Sequence, residues 1–352
     1  MNRMNEPLTF VVKQEDMTNK ALLMDEALIL AIDIVSQPDL YVVMRTAGVK
    51  GISESRLHRN NARGSLVVLT EQGEGDDVVI TMFDNYKTFL NKWADEFIGS
   101  AEAPVANYIP PEIGLEEFML TLHAIDSFRR VTYQNLLDYV YVDNAYVRIP
   151  EFTKTMAGSL ASFDIRWLLP AFMAVTPGIE QYNTNLEAKN IEVLMTHKFF
   201  TEGMLGSGEE VLVFGEAGQV MGLEFLHSWL SSIGFEINVT TGEGFKAVEK
   251  LFVAPTVLTN HFVRLRDVGD DKAMVNHQTY IREQLLSKLN EVFEKAGSIL
   301  QPVQTMEPTA KTIPNSAQTV PAISTPKFCN NCGTKLEVNA VFCFNCGKKI
   351  NY

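Results

Sequence analysis

The 352-residue sequence confines its four cysteines to one short segment close to its C-terminal end. They occur in two matching phrases, Phe-Cys-Asn-Asn-Cys-Gly at 328–333 and Phe-Cys-Phe-Asn-Cys-Gly at 342–347. A C-x-x-C turn aims both sulfur atoms at one point, and the glycine that follows tolerates the positive φ needed for backbone amides to face the thiolates. Two such turns predict a tetrahedral four-thiolate metal shell, with Zn–S bonds of about 2.3 Å, made by Cys329, Cys332, Cys343 and Cys346.

A redox dithiol and a rubredoxin-like iron site are the alternatives for these thiols. The phrase occurs twice and no βαβ pattern surrounds it, which disfavours a redox dithiol. The nearby phenylalanines form a smaller aromatic shell than such iron sites usually have, so we expect zinc. Because four thiolates leave no coordination position for water, we expect one structural zinc ion that takes no part in catalysis.

Residues 327–350 resemble the zinc-ribbon family in its short form, whose two C-x-x-C-G knuckles often lie at a terminus of bacterial and archaeal proteins. The resemblance implies a β-hairpin that carries the four cysteines as zinc ligands. It covers only this segment, and residues 1–296 resemble no family that we recognise.

A proline-rich segment, 297–326, precedes the cysteines and contains five prolines among Ser, Thr, Gln and Ala. This composition cannot bury enough apolar surface to offset its ordering entropy, so we expect a disordered linker. As a flexible coil it would span about 30 Å. The expected domains are therefore a body at 1–296, the linker at 297–326 and a zinc ribbon at 327–352.

Hydrophobic periodicity in the body predicts an α+β fold, mostly of antiparallel hairpins with packed helices. Asp84 is the expected cap of one helix, Pro170 the kink of another, and Gly297 the stop of the last. Two stretches share the order helix, strand, loop, strand, which either reflects a duplication into halves 1–145 and 146–296 or arises by chance. The predicted helices lie at 22–35, 84–98, 115–129, 160–175 and 279–296, and the predicted strands at 40–45, 65–70, 78–83, 191–197, 210–214 and 235–240.

The formal net charge of −13 divides unevenly along the chain. Residues 297–352 contain five lysines and two glutamates and carry +3, which leaves −16 on the body. An acidic body repels phosphate backbones, so we do not expect it to bind nucleic acid, whereas the lysines leave that option open for the ribbon.

A glycine-rich turn at 215–222 is a candidate for nucleotide binding through Gly215, Gly218 and Gly222. It follows a predicted strand, but its spacing is G-x-x-G-x-x-x-G rather than the dinucleotide-binding G-x-G-x-x-G, and a simple turn explains it equally well. The only basic cluster of the body has two interpretations, an anion clamp or, as we prefer, a solvated loop between strands. It comprises Arg56, His58, Arg59 and Arg63.

No sequence pattern assigns a catalytic residue. The six histidines are isolated from one another, and His123 and His227 fall within apolar helical patterns, where we expect them in the core. The N-terminal residues do not form a secretory signal and no apolar run is long enough to span a membrane, so we expect a cytoplasmic protein.

The function that these observations favour is a zinc-binding, non-enzymatic interaction or adaptor protein whose ribbon is a second contact module for another protein. One alternative is a nucleotide-dependent enzyme that uses the turn at 215–222, with the ribbon as an accessory. A further alternative is nucleic-acid binding through the ribbon.

Overall fold

The computed structural model describes residues 9–12, 26–71, 78–99, 108–142, 144–162, 164–184, 189–228 and 231–299. The chain divides into two compact units, Met1–Gln301 and Pro302–Tyr352, and every described residue belongs to the first. The predicted zinc ribbon and nearly all of the predicted linker lie outside the described residues. Within these ranges, no helix combines the length and apolarity needed to cross a membrane.

Ten strands form one sheet in the order β1-β5-β4-β3-β2-β10-β11-β12-β13-β6, and three more form a small sheet in the order β7-β9-β8. Every strand pair in the described part of the chain is antiparallel, which confirms the predicted α+β class. The strands are β1 (Thr9–Val12), β2 (Leu40–Gly48), β3 (Gly51–Arg59), β4 (Leu66–Glu71), β5 (Val78–Phe83), β6 (Glu112–Gly114), β7 (Tyr146–Arg148), β8 (Phe200–Met204), β9 (Glu210–Phe214), β10 (Ser232–Thr241), β11 (Gly244–Pro255), β12 (Asn260–Gly269) and β13 (Lys272–Tyr280).

Helices cover both faces of the large sheet because its central strands are apolar on both sides. The helices are α1 (Glu26–Ser36), α2 (Tyr86–Phe97), α3 (Leu115–Leu137), α4 (Ile149–Leu160), α5 (Leu168–Val175), α6 (Lys189–Thr196), α7 (Glu216–Leu226) and α8 (Arg282–Ile299). Leu251 and Phe262 pack in one core with α2 and α8, whereas Phe252 and Val263 pack in a second core with α3, α5 and α7.

The strand predicted at 191–197 is wrong, since these residues form most of helix α6. Leu194 is fully buried, and Ile191 and Met195 pack against the same core, which is a helical spacing of three and four residues. The two stretches compared for a duplication therefore differ in their order of elements.

Helix boundaries also differ from the prediction. The helix predicted at 160–175 is interrupted, because α4 ends at Leu160 and α5 begins at Leu168. Pro170 lies in the first turn of α5, where its missing N–H removes no hydrogen bond, so it is not a kink. Asn85 rather than Asp84 caps α2, because its side chain accepts a hydrogen bond from Thr88 N at 2.9 Å.

Two helices extend further than predicted. Helix α3 continues past Arg129 to Leu137, and α8 continues through Gly297 to Ile299. An internal glycine costs a helix only about 1 kcal/mol, so it does not force a stop.

Candidate functional site

The predicted zinc ligands Cys329, Cys332, Cys343 and Cys346 lie outside the described residues. Within the described ranges, no group of three or more His, Cys, Asp or Glu side chains is arranged to hold a metal ion. The other candidate sites belong to the body.

The glycine-rich turn predicted at 215–222 is wrong, since Gly215 caps α7 and residues 216–222 form its first turns. The close approach of neighbouring atoms requires glycine at these positions. A Cβ on Gly218 would lie 2.4 Å from Phe199 O, and a Cβ on Gly222 would lie 2.3 Å from Phe128 Cδ1. The amides of Gly215 and Ala217 already donate to backbone carbonyls, at 2.9 and 3.1 Å. Amides that are occupied in this way cannot cradle a phosphate, which needs free N–H groups at a helix N-terminus.

Most of the basic cluster lies on strand β3, so the predicted loop at these residues is wrong. Arg56 pairs with Glu54 at 2.9 Å, Arg63 pairs with Asp33 at 2.7 Å, and Arg59 lies 3.5 Å from Glu294. His58 is buried, and this burial, together with the charge of Arg56, lowers its pKa to about 4. Each of the three arginines has a different carboxylate of the body as its partner, so the arginines do not form a common anion clamp.

A chain of buried polar groups, which the sequence did not reveal, connects α7 to strands β12 and β13. Glu224 Oε1 accepts a hydrogen bond from Thr256 Oγ1 at 2.5 Å and lies 3.0 Å from His261 Nε2. His261 Nδ1 in turn lies 3.0 Å from His277 Nε2, and the two rings are stacked. Carboxylate, imidazole and imidazole in series resemble a proton relay in their connectivity.

The described residues around this chain of polar groups leave little free space. Glu224, His261 and His277 are all buried, and the cavity beside the histidines has a volume of only about 10 Å³, which is enough for about one water molecule. Burial, with a contribution from His261, holds the pKa of His277 well below its ordinary value. Among the described residues, the arrangement joins α7 to the sheet and leaves room for about one water molecule.

The two histidines expected in the core have different outcomes. His123 is fully buried in α3, and its Nε2 lies 3.0 Å from Phe152 O. His227 is exposed, so its expected place in the core is wrong; it is the residue that caps the C-terminal end of α7. The apolar helical pattern is therefore a good guide to burial within a helix and a poor one at its end.

The last turns of α3 and the residues just after them expose six large apolar or aromatic side chains, which we call the α3 surface. The first fifteen residues of the helix are nearly all buried, but its last two turns leave the core. Tyr139 is 98% exposed and Leu137 is 73% exposed. Large apolar patches on the surface of a soluble protein often mark an interaction site. The α3 surface consists of Tyr133, Leu136, Leu137, Tyr139, Val140 and Tyr141.

Tyr139, two residues beyond the last residue of α3, has a backbone conformation that glycine usually adopts. Its φ is +54°, and Val140 N donates to Asn135 O at 2.9 Å while Tyr139 N donates to Leu136 O at 3.4 Å. This is a Schellman-like motif with tyrosine in the left-handed position, at a cost of about 1 kcal/mol relative to a right-handed conformation. The motif holds an aromatic ring outward at the tip of the helix.

A cleft of about 520 Å³ lies beside the α3 surface and shares Tyr133, Leu137 and Val140 with it. A second cavity, of about 790 Å³, shares Tyr133 and Trp167 with this cleft. Both cavities therefore adjoin the part of α3 that leaves the core.

Asp126 fixes the wall between α3 and α5. Its carboxylate accepts hydrogen bonds from the backbone amides of Leu168 and Leu169, at 2.8 and 2.9 Å, and from Arg129 at 2.9 Å. Burial raises the pKa of Asp126, while Arg129 and the two amides act in the opposite direction. These contacts place Trp167, the residue before α5, over α3.

The sequence contained a signal for the α3 surface. The run Leu-Leu-Asp-Tyr-Val-Tyr-Val at 136–142 follows the predicted end of the helix at Arg129 and contains no charged residue other than one aspartate. Exposure could not be predicted from it, because a similar run would also suit a buried strand.

Comparisons with known proteins identify the C-terminal segment. The model of the zinc-ribbon domain family matches residues 328–350, which confirms the resemblance inferred from the cysteine phrases and makes this segment a zinc-binding module. No curated protein matches the chain. Among solved structures, the Mycobacterium tuberculosis type VII secretion system chaperone EspG5, in complex with the PE25–PPE41 dimer, matches at 9% identity and a TM-score of 0.32. That match covers 77% of this chain and 78% of that chain, and a superposition at this level carries no argument about function.

Proposed function

We propose that this protein is a non-enzymatic adaptor of the cytoplasm that binds another protein through the α3 surface of its body and uses a tethered zinc ribbon as a second contact module. The partner is expected to present an apolar segment. Clustered thiols kept as metal ligands suit a reducing compartment.

The observation that carries the proposal is the α3 surface. Leu136, Leu137 and Tyr139 are each more than two-thirds exposed, at the end of a helix that is otherwise buried. Burying one such side chain in an interface is worth about 1.5–3 kcal/mol, and aromatic residues are enriched among those that dominate binding energy. The energetic cost of holding Tyr139 in a left-handed conformation fits a residue selected for its outward position.

The ribbon extends this proposal. We propose that Cys329, Cys332, Cys343 and Cys346 hold one zinc ion and that the ion has a structural role. A segment of this size cannot form its own hydrophobic core, so metal binding would supply its folding free energy. A linker of the composition found at 297–326 would let ribbon and body engage one partner together, with a gain in affinity on the order of 10²-fold or more over either contact.

Photo-crosslinking tests the body contact. The photoreactive residue p-benzoylphenylalanine replaces Tyr139 in cells that produce the protein and, as a control, replaces Glu243, which is exposed in the turn between β10 and β11. We expect one discrete crosslinked protein, identified by mass spectrometry, at position 139 alone. Adding the substitution Leu137→Glu should abolish the crosslink at position 139.

The outcomes are distinct. Equal crosslinking profiles at positions 139 and 243 would contradict the proposal. A crosslinked product made of two copies of this chain would also contradict it, because the α3 surface would then be a homodimer contact rather than a site for another protein.

A further inference from the structure

The cleft beside the α3 surface contains an arginine that pairs with no carboxylate in the described part of the chain. The cleft is formed by the last turns of α3, by β7, by the first turns of α4 and by Trp167. Arg130 lines it, and its guanidinium carbon lies 3.8 Å from the centre of the Trp167 ring. We call this space the Arg130 cleft.

Arg130 is held in place by neutral contacts. Its Nη2 donates to Ser159 Oγ at 3.3 Å, and its Nε is buried without a hydrogen-bond partner. Among the described residues, no carboxylate oxygen lies within 4 Å of its guanidinium nitrogens. The guanidinium lies over the ring of Trp167, and this contact restricts its movement before any ligand arrives.

Unlike Arg130, each of the neighbouring arginines has a carboxylate partner among the described residues. Arg129 pairs with Asp126 at 2.9 Å, and Arg166 makes a two-point contact with Asp164 through distances of 2.7 Å. Arg148, which also lines the cleft, lies 3.2 Å from Glu209. Of these four described arginines, Arg130 alone lacks a carboxylate partner.

The electrostatics of the cleft favour an anion. Burial lowers the pKa of Arg130, which means that the protein environment disfavours its charge, although Asp126 and Asp164 partly compensate at longer range. A partly buried charge gains most from a paired, hydrogen-bonded counter-ion, and a carboxylate can accept two parallel hydrogen bonds from a guanidinium. Among the described lining residues, the cleft contains two arginines and one acidic side chain, Glu151, in a body that is otherwise strongly acidic.

The apolar walls define the rest of the ligand. Leu137 and Val140 belong to both the Arg130 cleft and the α3 surface, and Val142 continues the same wall. A ligand that reaches Arg130 therefore also covers apolar surface on the way. A free anion would leave that surface exposed to water, whereas an acidic residue within an apolar segment would cover it.

We propose that the Arg130 cleft binds an aspartate or glutamate side chain of the partner protein, flanked in the partner's sequence by apolar residues that cover Leu137 and Val140. This inference rests on the proposed function, since it assigns the chemistry of the partner at the same surface. It adds that the segment is recognised by charge as well as by apolar contact.

Peptide selection tests the inference with a defined probe. A random 16-residue peptide library displayed on phage is selected on the full-length zinc-loaded protein and on the variants Arg130→Gln and Arg130→Glu. Arg266→Gln is the matched control, because Arg266 is exposed, pairs with Glu112 and lies outside the cleft. Circular dichroism establishes that each variant is folded, and Arg130→Gln alone decides the outcome if Arg130→Glu does not fold.

We expect the wild-type protein and Arg266→Gln to enrich peptides with one acidic residue between apolar residues. Synthetic copies of these peptides should bind Arg130→Gln about 10- to 100-fold more weakly, which corresponds to the loss of a charge-assisted hydrogen bond. Arg130→Glu should instead enrich basic residues at the acidic position. Leu137→Glu should weaken every selected peptide.

Failure of the inference and failure of the proposed function give different results. Apolar peptides that bind Arg130→Gln as well as wild type, but lose affinity with Leu137→Glu, would overturn the role of the cleft and keep the α3 surface as a binding site. Absence of any peptide that depends on Leu137 would overturn both.

Discussion

Replacing Gly222 by alanine should destabilise the body, although alanine is the better helix former. Gly222 lies where α7 crosses α3, and a Cβ at this position would be 2.3, 2.4 and 2.8 Å from Cδ1, Cγ and Cβ of Phe128. Because these contacts include Cβ, the first atom of the Phe128 side chain, rotating the ring cannot relieve them. The ring also packs edge-on against Phe214, with centroids 5.2 Å apart. The two helices would have to move apart.

The magnitude follows from two opposing terms. Overpacking a well-packed core costs about 1–3 kcal/mol, and replacing glycine by alanine within a helix gains about 1 kcal/mol. The difference is a net destabilisation of about 0–2 kcal/mol, and because the contacts with Phe128 are as short as 2.3 Å, we expect a value near the upper end. Gly158→Ala is the matched control, because Gly158 is exposed in α4 and an added Cβ would meet no atom within 4 Å, so it should stabilise by up to about 1 kcal/mol.

Urea denaturation of the full-length zinc-loaded protein, followed by circular dichroism, measures both variants against wild type. We expect the urea midpoint to fall for Gly222→Ala and to rise for Gly158→Ala, although both variants replace glycine by alanine. A Gly222→Ala protein that is as stable as wild type, or more stable, would refute the packing argument and reopen a ligand-binding role for the glycine.

Three further predictions concern acid stability, the wall of the cleft and the metal. Burial lowers the pKa of His123 to about 4, so the unfolded state, with a pKa near 6.5, takes up this proton first as the pH falls. The free energy of unfolding should therefore decrease by about 2 kcal/mol from this residue between pH 7 and pH 5, and His123→Gln should flatten the dependence measured in urea. An unchanged slope in that variant would contradict the assignment. Asp126→Ala should cost about 3 kcal/mol or more in the same assay, because it leaves Arg129 buried without its partner, and a loss below about 1 kcal/mol would argue against the role of this pair. Cys329→Ser should reduce zinc from one ion per chain to nearly none by elemental analysis, with Ser324→Ala as the control, and full retention of zinc would exclude Cys329 as a ligand.

Strong periodicity and specific spacing make part of this protein predictable. The zinc-ribbon segment can be recognised because two C-x-x-C-G phrases require almost no tertiary information. The predicted ends of strands β4, β5 and β9 and of helix α2 lie close to the observed ones, since each element has a clear apolar pattern with turn residues at its boundaries.

Other features depend on tertiary contacts that a local pattern does not contain. The short apolar run at 191–197 suits a strand or a helix, and only the packing of Leu194 decides for a helix. His261 and His277 lie sixteen positions apart and meet because β12 and β13 pair with Val263 opposite His277. Glu224 joins them from a helix that precedes both strands, so no spacing in the sequence predicts the chain of hydrogen bonds.

The Arg130 cleft was beyond sequence reasoning for an electrostatic reason. Arg129, Arg130 and Arg166 have the same charge in the sequence, and the difference between them arises only when Asp126 and Asp164 satisfy two of the three. Whether an arginine can bind an external anion depends on which carboxylate the fold brings within hydrogen-bonding distance.

The salt dependence of binding distinguishes an acidic protein segment bound at Arg130 from nucleic acid bound by the ribbon. At long range, a body of −16 repels an acidic segment, and this repulsion weakens as the Debye length falls from about 10 Å at 0.1 M salt to about 3 Å at 1 M. At short range, the contact with Arg130 is partly buried against Trp167 and is screened much less. Moderate salt should therefore leave this association unchanged or strengthen it. Binding of nucleic acid by the lysines of the ribbon would respond in the opposite way, because it depends on the release of counter-ions from phosphates and weakens steeply as salt rises.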